Sequence, residues 1–305
     1  MTPEVPRTPP RQARTRRDLP LFCGALIVAL LLACAVAAPA VTQVLGFGPY
    51  EQVAPRDVTP PTPPDRDHLF GTDSMGRDQL SRLLHGARIS LFVAVAAELV
   101  ALLLGTTVGA IAGWMGGWAD AILMRVVDLL LALPAPLLAL AIIAAVPEPE
   151  TAPILRNFPE PSLAIVLVVL GALGWAGIAR LVRAEMLRLR EEEYARAARA
   201  AGASGARIVL RHLLPNALGP ILVVATLGTG GNILMEAWLS FLGVGARPPL
   251  PSWGTMVAEG QAYILTRPWV CLAPGLAILI AVLGFNLMGD GVRDRIDPRR
   301  RSVAA

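Results

Sequence analysis

Six apolar stretches, at 19–45, 89–112, 119–146, 162–182, 216–243 and 269–288, are each about 20 residues or longer, the length a helix needs to cross a bilayer. In hydrocarbon a backbone has to satisfy its own hydrogen bonds, so runs of this length fold as helices packed side by side. They exclude a soluble mixed α/β or β-rich domain. Composition agrees: charged residues are 16% of the chain, against roughly 25% in soluble domains, and mean hydropathy is +0.57. The run from Leu19 to Leu45 is too long for a signal-peptide core, so it is expected to remain as the first span even though Arg16–Arg17 precede it. Pro134 and Pro136 interrupt the third run, and Gly228, Gly230 and Gly231 loosen the fifth.

The segments between the runs differ in material. Residues 1–18 are rich in proline and arginine and read as a disordered tail. Residues 46–87 begin as a solvated, proline-rich linker ("APRDVTPPTPPDRD") and end in "HLFGTDSMGRDQLSRLLHGARISL". There Asp73 or Ser74 is expected to cap a short helix whose Leu80, Leu83 and Leu84 share one face, lying along the membrane surface. Residues 88–292 form the transmembrane core, with a polar loop at about 183–215, and residues 293–305 form a second tail.

Arginine sets the expected orientation. The N-terminal tail carries five, the stretch Arg180–Arg211 carries eight, and the C-terminal end carries Arg293, Arg295, Arg299, Arg300 and Arg301. Six alternating spans put all three on one side, the cytoplasm, whereas 147–161 and 244–268 hold only Arg156, Arg247 and Arg267; the first external segment runs against the count with Arg56, Arg66, Arg77, Arg82 and Arg88, accompanied by Asp and Glu. The N- and C-termini are therefore expected to be cytoplasmic, in a multi-pass protein of the cell membrane. The net charge of +4 follows from the same bias and does not point to nucleic acid. Cys23, Cys34 and Cys271 lie in apolar runs, and His68, His85 and His212 are scattered, so no metal site is expected. With no lysine in the chain there is no GxxxxGK[ST] phosphate loop, and no ATP hydrolysis is expected of it.

The polar stretch "EEEYARAARAAGASGARIVLRHLLPN" (191–216) is the feature the apolar runs do not explain. On a helical wheel Tyr194, Ala197, Ala198 and Ala201 share a narrow face, with Arg196 and Arg199 opposite. Gly202 is placed to end that helix in the left-handed conformation, a second short helix covers about Ser204 to Leu213, and Pro215 opens the next span. Small residues permit close backbone approach and arginines give directional contacts, a combination suited to docking in a groove of another protein.

This stretch resembles the EAA loop of ATP-binding-cassette (ABC) importer permeases. Arg196-Ala197-Ala198, Gly202 and His212-Leu213-Leu214-Pro215 keep its spacing, with Arg196 where the pattern has Glu and His212 where it has Ile; Glu193 is a candidate substitute carboxylate. "GWMGGWADAILMRVVDLLLALP", "ILMEAWLSFLGVGARPPLPSWGTMVAEG" and "APGLAILIAVLGFNLMGDGVRDRIDPR" resemble further blocks of the C-type permeases of the dipeptide, oligopeptide and nickel group. The resemblance implies an all-α type I ABC importer permease fold with six transmembrane helices. It implies a channel shared with a B-type permease, two ABC ATPase subunits that bind ATP–Mg, and an extracellular solute-binding protein. Coupling to the ATPases is carried over to Glu193, Tyr194, Arg196, Ala197, Ala198, Arg199, Gly202, His212, Leu214 and Pro215, with Ala197, Ala198 and Gly202 in the tightest contact. Peptides are the implied solute, with nickel chelates or other small solutes the alternative.

Charged residues at membrane depth cost several kcal/mol unless paired or wetted. Arg125 and Asp128, three apart, are expected to pair; Glu236 either lines a pathway or packs helices; Glu98 faces a partner or a wet cavity. A secondary transporter would use Glu98 and Glu236 as ion sites but leaves the arginine–alanine loop unexplained. Trp114, Trp118, Trp253 and Trp269 are expected in aromatic belts at span ends.

Overall fold

The computed structural model describes residues 11–54, 58–146 and 160–296, with side chains from Leu19 onward. The expected tails are shorter than the sequence suggested, since residues 11–18 are helical in α1 and 293–296 in α10; their remaining residues, and the loop carrying Arg156, lie outside the described residues. The helices are α1 (Arg11–Leu45), α2 (Gln79–Met115), α3 (Gly117–Ala132), α4 (Ala135–Ala145) and α5 (Pro161–Leu189). There follow α6 (Glu193–Ala200), α7 (Gly205–Ile208), α8 (Leu214–Phe241), α9 (Trp253–Gly260) and α10 (Trp269–Ile296). Five helical segments have the length and apolarity of a span, and α3 with α4 forms a sixth, bent by 92°.

The bend follows from the two prolines. Leu133, the residue before Pro134, is pushed to an extended conformation (φ −98°, ψ 140°), and Pro136 enters the first turn of α4, where a missing N–H does no harm. The third apolar run is therefore two helices meeting near a right angle, not one interrupted rod. The glycines of the fifth run do not break it: α8 is continuous through Gly228, Gly230 and Gly231.

Small residues decide which helices touch. Gly105, Gly109 and Gly113 lie one turn apart on α2, and a Cβ on them would come within 2.6 Å of Ile178, 2.5 Å of Ala179 and 2.5 Å of Met186. That stripe lets α5 lie against the α2 backbone, the close approach that drives helix association in lipid. Gly24 on α1 and Gly284 on α10 do the same for the pair α1–α10. Large apolar side chains such as Phe92, Leu103 and Leu279 remain exposed on the outer faces, where a soluble protein would not leave them.

The segment before α2 departs from expectation. No separate surface helix forms there: Leu80, Leu83 and Leu84 are half-buried in the first turns of α2, which runs straight on into the span. The cap is Asp78, whose side chain accepts from the Ser81 N–H at 2.7 Å, not Asp73 or Ser74. Asp73 instead accepts from the backbone N–H groups of Met75 and Arg77 and from the side chains of Arg77 (2.7 Å) and Arg82 (2.6 Å). Both arginines also reach Glu259 of α9, so four charged side chains fasten this segment to α9. Nor is the proline-rich linker fully solvated: Pro61 and Thr62 are buried, Thr62 and Thr72 exchange backbone and hydroxyl bonds, and Arg267 donates to the Pro61 carbonyl.

Candidate functional site

The polar loop forms a short hairpin with one side fastened down. Ala195 of α6 is fully buried and packs in a cluster with Met186, Leu189, Ile208 and Leu213. Ala198 and Ala203 pack against the same cluster, so Ala198 points half inward and does not belong with the outermost contacts. The α6 terminus closes as the sequence indicated. Gly202 has φ +82°, its N–H donates to the Arg199 carbonyl at 3.0 Å, and the Ala203 N–H donates to the Ala198 carbonyl at 3.1 Å. These two bonds make a Schellman cap, which requires a left-handed residue at that point.

What remains outside is a smooth surface. Tyr194, Ala197, Ala201 and Gly202 are exposed side by side, and none of the described residues lies within 4 Å of where a Gly202 Cβ would project. Glu193 sits in the first turn of α6, favourable for a carboxylate near the positive end of a helix. Arg196 is exposed and donates to the Glu191 carbonyl at 2.9 Å. Arg199 lies 5.2 Å over the ring of Trp114, a cation–π contact that ties α6 to the end of α2. Trp114, at the end of α2, thus belongs to the loop's footing. Trp253 leaves the expected belt: it is 1% exposed and donates from its indole N–H to the Leu83 carbonyl. Trp118, in the first turn of α3, is 84% exposed.

The second short helix of the loop is not separate from the fifth span. Residues Val209–Leu213 form a π turn that carries α7 directly into α8. Pro215 explains the wide turn: it offers no N–H to the carbonyl four residues back, and the Leu214 N–H reaches Val209 instead. His212 is half-buried in this turn, and its carbonyl accepts from the Asn216 side chain at 2.7 Å. Arg190 donates to the Gly113 carbonyl at 3.1 Å, and Arg183 makes a two-pronged bond with Asp120, so the α5 end that leads into the hairpin is held to α2 and α3.

The intramembrane charges fall into different roles. Arg125 and Asp128 do not pair. Asp128 is held by Arg180 of α5 at 2.6 Å, because α3 buries Val127 and brings its neighbour Asp128 within reach of α5, while Arg125, about 200° around the helix from Val127, is exposed on the far side. Glu236 is fully buried: it accepts from Ser90 of α2 at 2.8 Å and Ser240 at 2.7 Å, and Ser90 in turn accepts from the Trp253 N–H. This places Glu236 in helix packing. Glu98, 5% exposed, lines a cleft of about 290 Å³ between α2, α4, α5 and α8, and accepts from Asn232 at 2.9 Å. Sequence reading missed Asn232, Asp120 and the serines around Glu236; only the Glu236–Ser240 spacing of four was visible in advance.

A bundle of apolar helices with a footed polar hairpin at one end is the architecture of a multi-pass membrane protein. The comparisons agree. The chain belongs to the binding-protein-dependent transport system inner membrane components, whose family profile matches residues 105–302. It is 38% identical to the dipeptide transport system permease protein DppC of Alkalihalophilus pseudofirmus, over 99% of this chain and 97% of that protein. It is 37% identical to the oligopeptide transport system permease protein OppC of Bacillus subtilis, over 94% and 88%. The MetNI methionine ABC transporter, solved in an inward-facing conformation, shares the fold with a TM-score of 0.55 and 23% identity, over 70% of this chain and 96% of that one.

Proposed function

We propose that this chain is the permease subunit of a peptide importer. It builds the pathway with a second, B-type permease and is fed by an extracellular solute-binding protein. Two ABC ATPase subunits, which bind ATP–Mg, lie below the permease pair, and one of them seats against α6. The observation that carries this reading is the exposed face of Tyr194, Ala197, Ala201 and Gly202, held on a hairpin whose other side is buried. A loop that served only to join two spans would gain nothing from being footed by Ala195, Trp114 and Arg190. The arginine excess supports a cytoplasmic position for α6 and both chain ends. The names of the relatives support peptides over nickel chelates as the solute.

The test is reconstitution of the four-part transporter with its binding protein in liposomes. ATP-dependent uptake of a labelled tripeptide that survives collapse of ion gradients is expected. Uptake driven by a proton or sodium gradient without ATP would show a secondary transporter instead.

A further inference from the structure

The cleft between α2, α4, α5 and α8 has an acidic floor and no basic side chain to match it. Glu98 contributes that floor, and Oε2 of its carboxylate accepts from Asn232. Oε1 is buried and has no partner. A carboxylate in an apolar site normally fills its acceptor positions, since an unpaired buried charge is strongly disfavoured. The arginines of the neighbouring helices are engaged elsewhere, Arg180 with Asp128 and Arg183 with Asp120, and Glu98 has no ion pair among the described residues.

The surrounding glycines do two different jobs. A Cβ on Gly228 would fall 2.5 Å from Glu98 Oε2, so glycine there is what lets the carboxylate rest against α8. Gly177 and Gly231 also line the cleft, yet a Cβ on either would meet nothing within 4 Å. Unlike the α2–α5 stripe, these two leave open space. The cleft is therefore roomy and apolar, with one acceptor-rich point.

We propose that Glu98 and Asn232 form a binding notch for a primary ammonium group on the transported solute. An ammonium brings three donors and a positive charge, the complement of a carboxylate with a free oxygen. The terminal carboxyl torsion is soft, so Oε1 turns from beneath the cleft surface to meet it. An anion is rejected by the same charge. That the ammonium is the amino end of a peptide rests on the function proposed above; the chemistry of the notch does not.

The experiment reads the notch without requiring transport. The assembled transporter is treated with a hydrophobic carbodiimide, and modification of Glu98 is followed by mass spectrometry. It is run alone, with trialaninamide, with N-acetyl-trialaninamide, and with ethylammonium. Trialaninamide is expected to slow modification at least about fivefold, a shift equal to roughly 1 kcal/mol, while the neutral acetyl form leaves the rate unchanged. Protection by ethylammonium supports the same site with no preference for a peptide. Equal rates in all arms overturn the proposal, and so does a Glu98 that is never modified, since it then does not open to the cleft. Protection by trialaninamide together with failure of tripeptide uptake would reject the peptide reading and leave the notch standing.

Discussion

Replacing Gly202 separates the shape of the hairpin from what fits against it. Its φ of +82° is left-handed, so any side chain adds a backbone cost of about 1–2 kcal/mol to the native turn. That lowers the population of correctly shaped hairpin by a factor of about 5–30 relative to distorted forms. No described residue lies within 4 Å of the new Cβ, so an alanine methyl adds no steric penalty of its own. Gly202→Ala and Gly202→Trp share the backbone cost, and thermal unfolding of each isolated subunit reads any further cost of the indole. They should differ in the assembled transporter, where an indole occupies space that a docked ATPase needs. In proteoliposomes the expected result is near-normal uptake per ATP for Gly202→Ala and at least a tenfold lower ratio for Gly202→Trp. Equal coupling ratios in the two variants would refute the reasoning, because the space beside Gly202 would then be empty during transport.

Glu236→Ala should lower the stability of the purified subunit by roughly 2–4 kcal/mol, through the cavity and the serine hydroxyls it strands, and Glu236→Gln by less; chemical denaturation in detergent measures both. At Glu259, burial pushes the carboxyl up to about 7, with Arg77 opposing and Asp73 adding to the rise. A raised carboxyl supplies stability that is full below the ordinary carboxylate range and is lost as pH rises through about 7. Thermal unfolding against pH should show that decline in the wild type and a flatter profile in Glu259→Gln; superimposable profiles would contradict it.

Elements fixed by local chemistry were legible before any coordinates. The spans follow from apolar length, the bend from Pro134 and Pro136, and the end of α6 from Gly202. The start of α2 was misjudged because Asp73, Ser74 and Asp78 are equally good caps in sequence. Only the burial of Asp73 between Arg77 and Arg82 removes it from that role. The partners of charges were least legible. Asp120 meets Arg183 and Glu98 meets Asn232 across 63 and 134 residues, distances set by how α2, α3, α5 and α8 pack. The inward turn of Ala198 and the stacking of Arg199 on Trp114 arise the same way.

Docking of α6 on an ATPase is most directly tested by single cysteines at Ala197 and Ala201, with one at the buried Ala195 as a control. In membranes holding the whole transporter, a short bifunctional crosslinker should join the first two to the ATPase subunit and leave the third unlinked. Capture of no ATPase from either exposed position, or labelling of both by a reagent confined to the outside of the cell, would contradict the account.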